Sequence, residues 1–256
     1  MFANYYQEMK PFMRCMMLRF AVQKLSLLLI AIQCLPASGY CQTDSLEKRI
    51  AFPAPMNRLW QSSIGFSFLT TPEAITEEVR LRVPAGELIV LRKINDRFNL
   101  SGRLTFQILQ NHIALGARMV HQLSDRVYFS VGDEIGYWFG FLNVGGFDSK
   151  AHGWMNYLNA SLGIRLKNNL LLTFKGEGSF NLAFTSKNGD NEISSDKNFY
   201  NGEAFTVALE QPFFHKKHIT LSISGISNYF YWQTWSLFYL VDRRIFYPQF
   251  KVGFML

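Results

Sequence analysis

The feature that most constrains this chain is a strict alternation of apolar and polar residues between positions 97 and 108. Every second residue from Phe98 to Ile108 is apolar or glycine, and the residues between them are polar. A period of two is that of a β-strand, whose successive side chains point to opposite faces. We therefore predict an all-β fold. Related patterns recur in the segments 61–70, 79–93, 112–123, 126–141, 154–166, 170–182, 203–211 and 218–228.

The lengths of these segments predict strands that cross a membrane. Runs of about 10 to 15 residues exceed the 5 to 6 residues of ordinary strands and match the 9 to 11 that span a bilayer. Short polar connections at 94–96, 124–125 and 167–169 contrast with longer ones at 142–153 and 185–202. Tight turns at one end and longer loops at the other are typical of outer-membrane barrels, so we predict an antiparallel transmembrane β-barrel.

The strand number is predicted from parity. Bacterial single-chain barrels have even strand numbers. An external loop at 229–235 followed by one long strand at 236–256 gives ten strands, with eight or twelve as alternatives. A short hairpin around 84–86 would be the source of two more.

Residues 1–41 are predicted to be a signal peptide that is removed on export. Basic residues precede an apolar run at 25–35, and small residues follow Pro36. This run is too short to span a bilayer as a helix, and its order of charge, apolar core and small residues is that of a secretory leader. Acylation of Cys41 and a retained anchor helix are the alternatives. We predict a periplasmic linker at 42–58 and the barrel at 59–256.

The end of the chain supports export to an outer membrane. Apolar residues occupy every second position up to the last residue, and aromatic residues crowd toward the ends of the predicted strands. This terminus resembles the C-terminal assembly signal of Gram-negative outer-membrane proteins, although Leu256 stands where the signal usually has Phe. The resemblance implies contact with outer-membrane lipid and recognition by the barrel-assembly machinery through the last strand. Alternation alone also allows a soluble periplasmic β-barrel that binds a ligand.

If the apolar rows face lipid, the polar rows face the barrel lumen. A narrow barrel is filled by its inward side chains, and buried charges persist only when they are paired. Two interpretations remain open, an ion-paired structural interior and a selective pore or binding site for a small solute. The predicted lumen-facing charged residues are Arg103, Arg118, Glu134, Arg165, Lys175, Glu177, Glu210 and Lys251.

The sequence favours a barrel without enzymatic activity. It contains no Gly-x-Ser-x-Gly, no phosphate-binding glycine loop and no His-Glu-x-x-His, so we expect no cofactor and no metal. The alternative is an outer-membrane hydrolase acting on lipid or surface peptide. Its candidates would be Ser227, or Asp148 with His152. The basic residues are scattered, and we expect no nucleic-acid partner.

Overall fold

The computed structural model describes residues 49–70, 82–107, 111–144, 147–167, 170–194, 198–213, 217–230 and 240–256. The predicted signal peptide at 1–41 lies outside these residues. Within them, the chain forms one antiparallel sheet of eleven strands. These are β1 (Trp60–Thr70), β2 (Arg82–Lys93), β3 (Phe98–Gln107), β4 (Asn111–Gln122), β5 (Val127–Val144), β6 (Phe147–Arg165), β7 (Leu171–Asn188), β8 (Asn191–Ser194), β9 (Tyr200–Phe213), β10 (Lys217–Phe230) and β11 (Leu240–Met255).

Ten of these strands close into a ring. Each pairs with its neighbours in the order β1 to β7, then β9, β10 and β11, and β11 returns to β1 through pairs such as Gly65 with Gly253. The short β8 pairs only with the end of β7 among the described strands and stands outside the ring. The predicted ten-stranded antiparallel barrel is therefore confirmed.

The barrel is apolar outside and polar inside. On β1, Ile64, Phe66 and Phe68 are exposed, whereas Ser63 and Ser67 of the alternate row are buried. This distribution is that of a transmembrane barrel and the reverse of a soluble one, which turns its apolar row inward. The chain thus has the architecture of an outer-membrane β-barrel. Among the described residues, no helix is long and apolar enough to span a membrane.

The short connections at 94–97, between β2 and β3, and at 123–126, between β4 and β5, lie at one end of the barrel, which we call the turn end; the opposite end is the loop end. Polar side chains stabilise the turns, because Asn95 Oδ1 accepts hydrogen bonds from the backbone N–H groups of Arg97 (2.9 Å) and Phe98 (2.8 Å). In the next turn, Ser124 Oγ accepts one from Val127 (3.2 Å). Such side chains commonly close tight turns in this way.

At the loop end, the predicted loops at 142–153 and 185–202 are wrong in extent. β5 and β6 continue as a paired hairpin to Val144 and Phe147, and β7 extends to Asn188. Alternation fades in these projecting parts because outside a membrane neither face has to be apolar, while the backbone pairing continues.

The alternative of a twelve-stranded barrel with a hairpin at 84–86 is not what the structure shows, because these residues lie within β2. Pro84 opposes Phe68 of β1, and the described β2–β3 pairing begins one residue later, at Ala85 with Gln107. Proline cannot donate a hydrogen bond to a ladder, so it is tolerated at this end of the strand.

Candidate functional site in the barrel lumen

The middle of the lumen holds a cluster of ion pairs centred on Arg103. Its guanidinium Nη2 lies 3.0 Å from Glu134 Oε2 of β5, and Nη1 lies 3.7 Å from Glu177 Oε1 of β7. Lys175 Nζ approaches Glu177 Oε2 at 2.7 Å. Because β3, β5 and β7 are alternate strands of the ring, this cluster links separate parts of the wall. Charges removed from water are tolerated when they are paired in this way.

Aromatic groups complete the surroundings of Arg103. Its guanidinium lies 5.1 Å from the centre of the Tyr157 ring, a cation–π distance, and His112 meets the same ring edge-on at 5.1 Å. Gly136 allows this approach, since a Cβ there would lie 2.5 Å from His112 Nε2. Ser101 Oγ donates a hydrogen bond to Glu134 Oε1 (3.0 Å). The cluster is thus positioned from several strands at once.

A second ion pair joins Lys251 of β11 to Glu87 of β2. Sequence reasoning did not include Glu87 among the lumen charges. The alternation is weak around it, because Ile89 and Leu91 face inward on the same side as Glu87, while Leu88 and Val90 face outward. A strand that is apolar on both faces gives no periodic signal to show which way its one carboxylate points.

A cavity of about 380 Å³ lies between these charges and a wall rich in hydroxyl groups. Thr206 Oγ1 and Ser224 Oγ share a hydrogen bond of 2.8 Å, and Gln249 Nε2 donates one to Ser67 Oγ (3.1 Å). The cavity extends from Asn228, near the loop end, down to Ile50. Its lining offers donors, acceptors and paired charges to a small polar molecule.

Near the loop end, two clusters of apolar side chains pack against the barrel wall. Trp138 stacks on Phe184 with ring centres 5.7 Å apart, and Met155 packs beside them. Across the barrel, Tyr247 packs with Leu69, and its hydroxyl accepts a hydrogen bond from Asn228 Nδ2 (3.1 Å). Trp138 and Tyr247, which carry an indole N–H and a hydroxyl group, also line the cavity, so apolar and polar groups occur together at this end of the lumen.

At the turn end, the chain preceding β1 enters the lumen. Residues 49–56, which we call the entry segment, include Phe52, Ala54 and Met56, each no more than 1% exposed. Phe52 packs with Tyr128 and Leu171, while Met56 packs with Leu91. The predicted linker at 42–58 made no allowance for this packing. Alternating apolar residues at 50, 52, 54 and 56 were the available signal.

Glu210 of β9 binds the backbone of the entry segment. Its Oε1 accepts hydrogen bonds from the N–H groups of Ile50 (2.8 Å) and Ala51 (3.1 Å), and its Oε2 accepts one from Phe52 (2.6 Å). Thr220 Oγ1 of β10 donates to Oε1 at 3.0 Å. The carboxylate, 1% exposed, is thus surrounded by four donors, which compensates for its removal from water.

The structure places the predicted lumen charges in three groups. Six of them line the cavity, namely Arg103, Arg118, Glu134, Lys175, Glu177 and Lys251. Arg118 also reaches the entry segment, where its Nη1 donates to the carbonyl oxygen of Ile50 at 3.4 Å. Glu210 contacts that segment and is not part of the cavity lining. Arg165 lies at the turn end of β6 and is also outside the lining.

The candidate hydrolase residues do not come together. Asp148 and His152 share the outward row of β6, four residues and therefore about 13 Å apart, too far for a hydrogen-bonded pair. Asp148 instead contacts Lys150 Nζ at 3.0 Å. Ser227 lies on the outward row of β10, opposite Glu203. Within the described residues, no group of three or more His, Cys, Asp or Glu could hold a metal ion.

Comparison with solved structures returns outer-membrane proteins at low identity. The KdgM porin is 10% identical, with 75% of this chain and 97% of that chain covered and a TM-score of 0.37. The translocator domain of the autotransporter NalP from Neisseria meningitidis is 11% identical (77% and 86% covered, TM-score 0.46), and LpxR from Salmonella typhimurium is 8% identical (75% and 99%, 0.36). No family model and no curated protein matches the sequence. These likenesses are too distant to transfer an activity.

Proposed function

We propose that this protein is an outer-membrane barrel that binds and passes small polar solutes through its lumen. The observation that carries the proposal is the cavity of about 380 Å³, which is lined in part by charged and hydroxyl groups and reaches from Asn228, near the loop end, to the entry segment. Enclosed cavities with a few convergent polar groups are the usual sites of small molecules. The exposed apolar exterior supports placement in a lipid bilayer, and the predicted leader and last strand support export and assembly there.

The charge of the lining favours neutral or zwitterionic solutes. Arg103 and Lys175 are both paired with carboxylates, as is Lys251 with Glu87. A lining whose charges compensate one another attracts neither anions nor cations strongly. The hydroxyl groups of Thr206, Ser222 and Ser224 on the facing wall add hydrogen-bonding partners for hydroxylated molecules.

Swelling of liposomes that contain the purified protein tests this function, with glycerol and glycine as small probes and raffinose as a large one. We expect glycerol and glycine, but not raffinose, to enter faster than in protein-free liposomes. Thr206→Trp fills the cavity from the hydroxyl wall and should slow their entry severalfold.

Phe205→Trp is the matched control, because Phe205 is the neighbouring residue on the lipid-facing row and is exposed. It should leave the swelling rate unchanged. Equal rates for Thr206→Trp and the parent protein would contradict passage through this cavity.

A further inference from the structure

We infer that the entry segment is a releasable plug and that the Glu210 carboxylate is the peptide-binding latch that holds it in the lumen. This inference goes beyond solute passage, because it concerns how the turn end opens. It assigns Glu210 a recognition role for the backbone of an extended peptide, here residues 50–52 of the same chain.

The entry segment crosses the lumen from wall to wall. On one side, Phe52 packs against Tyr128 of β5 and Leu171 of β7. On the same side, Pro53 lies against Gly163 of β6, where a Cβ at position 163 would be 2.6 Å from Pro53 Cδ. On the other side, Ile50 and Met56 contact Leu91 of β2, with Met255 of β11 packed alongside. β6 lies five strands from β1 in both directions round the ring, and β2 and β11 flank β1. The segment therefore spans the interior.

The latch recognises backbone rather than side chains. Both oxygens of Glu210 are directed at three consecutive N–H groups, with distances between 2.6 and 3.1 Å. A carboxylate has only acceptors, so it can satisfy every one of these donors, and bonds to a charged acceptor are about twice as strong as neutral ones. Glutamine has nearly the same shape but would turn a donor NH₂ toward at least one N–H group.

The barrel is complete without the entry segment, which makes release feasible. The ring of ten strands closes on itself, and residues 49–56 belong to no described strand. Pro53 and Pro55 have no N–H to contribute to a ladder. Withdrawal of the segment therefore breaks contacts with side chains but leaves the hydrogen bonds between the barrel strands intact, in contrast to the loss of any strand.

Thiol labelling of the full-length protein in detergent or liposomes tests the latch. In a background in which Cys15, Cys34 and Cys41 are changed to Ser, Ala54→Cys introduces the only cysteine of the chain, at a position that is 1% exposed. A charged maleimide should label it slowly in the parent background and about tenfold faster with Glu210→Gln, because the loss of charge-assisted hydrogen bonds raises the population of the released segment.

Glu192→Gln is the charge-matched control, since Glu192 is exposed on β8, and it should leave the labelling rate unchanged. Phe52→Ala, a change in the segment itself, should also accelerate labelling. Because it alters no barrel strand, it tests the release of the segment even if Glu210→Gln impairs folding. A heat-dependent gel shift verifies that each variant retains its barrel. Rates for Glu210→Gln or Phe52→Ala equal to the parent rate, in folded protein, would overturn the latch. The labelling needs no solute, so this result is independent of the swelling assay.

Discussion

The middle of the lumen and its turn end are filled in different ways, although many of the same strands line both. In the middle, side chains of the strands themselves project into the space beside the cavity, and Arg103 reaches across to Glu134 and Glu177. At the turn end, the strands leave room that the entry segment occupies with apolar side chains. The side chain of Glu210 binds the backbone of that segment. Glu210 thus contacts a part of the chain outside the barrel ring, whereas the ion pairs of Arg103 are with residues of the ring.

This difference teaches which contacts the barrel needs in order to fold. The mid-lumen pairs join side chains on β3, β5 and β7. Removing one member of such a pair therefore leaves a charge without its partner inside the barrel. The turn-end contacts join the wall to a segment that can leave. We therefore expect damage in the middle to reduce global stability, and damage at the turn end to act mainly on the position of the entry segment.

The largest expected effect follows from Arg103→Leu. Removing the guanidinium leaves Glu134 without its ion-pair partner and Glu177 with only Lys175 nearby. Loss of one member of a buried pair costs roughly 3 to 5 kcal/mol. Urea unfolding, followed by the loss of the unboiled gel band, should shift to a clearly lower midpoint.

Arg126→Leu is the control for this change, because Arg126 is an exposed residue of the turn before β5. It should leave the midpoint almost unchanged. Indistinguishable midpoints for Arg103→Leu and Arg126→Leu would mean that the mid-lumen cluster does not stabilise the barrel.

Phe52→Ala should have a smaller effect on global stability, in spite of complete burial of the Phe52 side chain. Truncation of a buried Phe in a fixed core costs about 3 to 5 kcal/mol of folding free energy. Here the segment can leave the lumen while the barrel stays folded, so the loss cannot exceed the free energy with which the segment binds the lumen. We expect about 2 kcal/mol or less in the same urea assay, with Leu59→Ala, an exposed neighbour, as control. A loss as large as that of Arg103→Leu would show that the entry segment is an integral part of the barrel.

The sequence predicts the barrel well where the membrane imposes a contrast between two faces. On β3 and β6, lipid requires one apolar row and the lumen accepts a polar one, so alternation reveals both the strands and their direction. The contrast is absent on β2, where both faces are apolar, and Glu87 was therefore not predicted to face the lumen. It is also absent beyond the membrane, where β7 continues to Asn188. Periodicity reports the difference between two environments, and it has nothing to report where both are alike.

The pairing of the entry segment with Glu210 could not be predicted from local patterns. Residues 49–56 contain two prolines and follow a predicted leader, which is the composition of a linker. Glu210 and Ile50 are separated by 160 residues along the chain. Only the closure of the ring brings them together, and a single sequence carries no signal for that pairing.

The smallest expected effect concerns an ion pair outside the lumen. This pair differs from those in the lumen in its exposure to water, so it tests whether burial makes the lumen pairs important for stability. Lys93 Nζ lies 2.6 Å from Asp96 Oδ1 at the turn end, and Asp96 is 85% exposed, compared with 13% for Glu134 in the lumen. The hydrogen bond and the charge of Lys93 hold the pKa of Asp96 below its ordinary value. A lowered carboxyl pKa means that this contribution to stability is present above about pH 4 and is lost as the pH falls through the lowered value.

NMR titration of Asp96 in detergent micelles measures this directly. Lys93→Gln should return the pKa of Asp96 toward its ordinary value, and salt at about 1 M should have a similar effect, because charges in water are screened within a few ångströms at that concentration. The urea midpoint should hardly change in either case, since exposed pairs contribute little to folding. If Lys93→Gln lowered the midpoint as far as Arg103→Leu does, burial would not be what separates the lumen pairs from those at the surface.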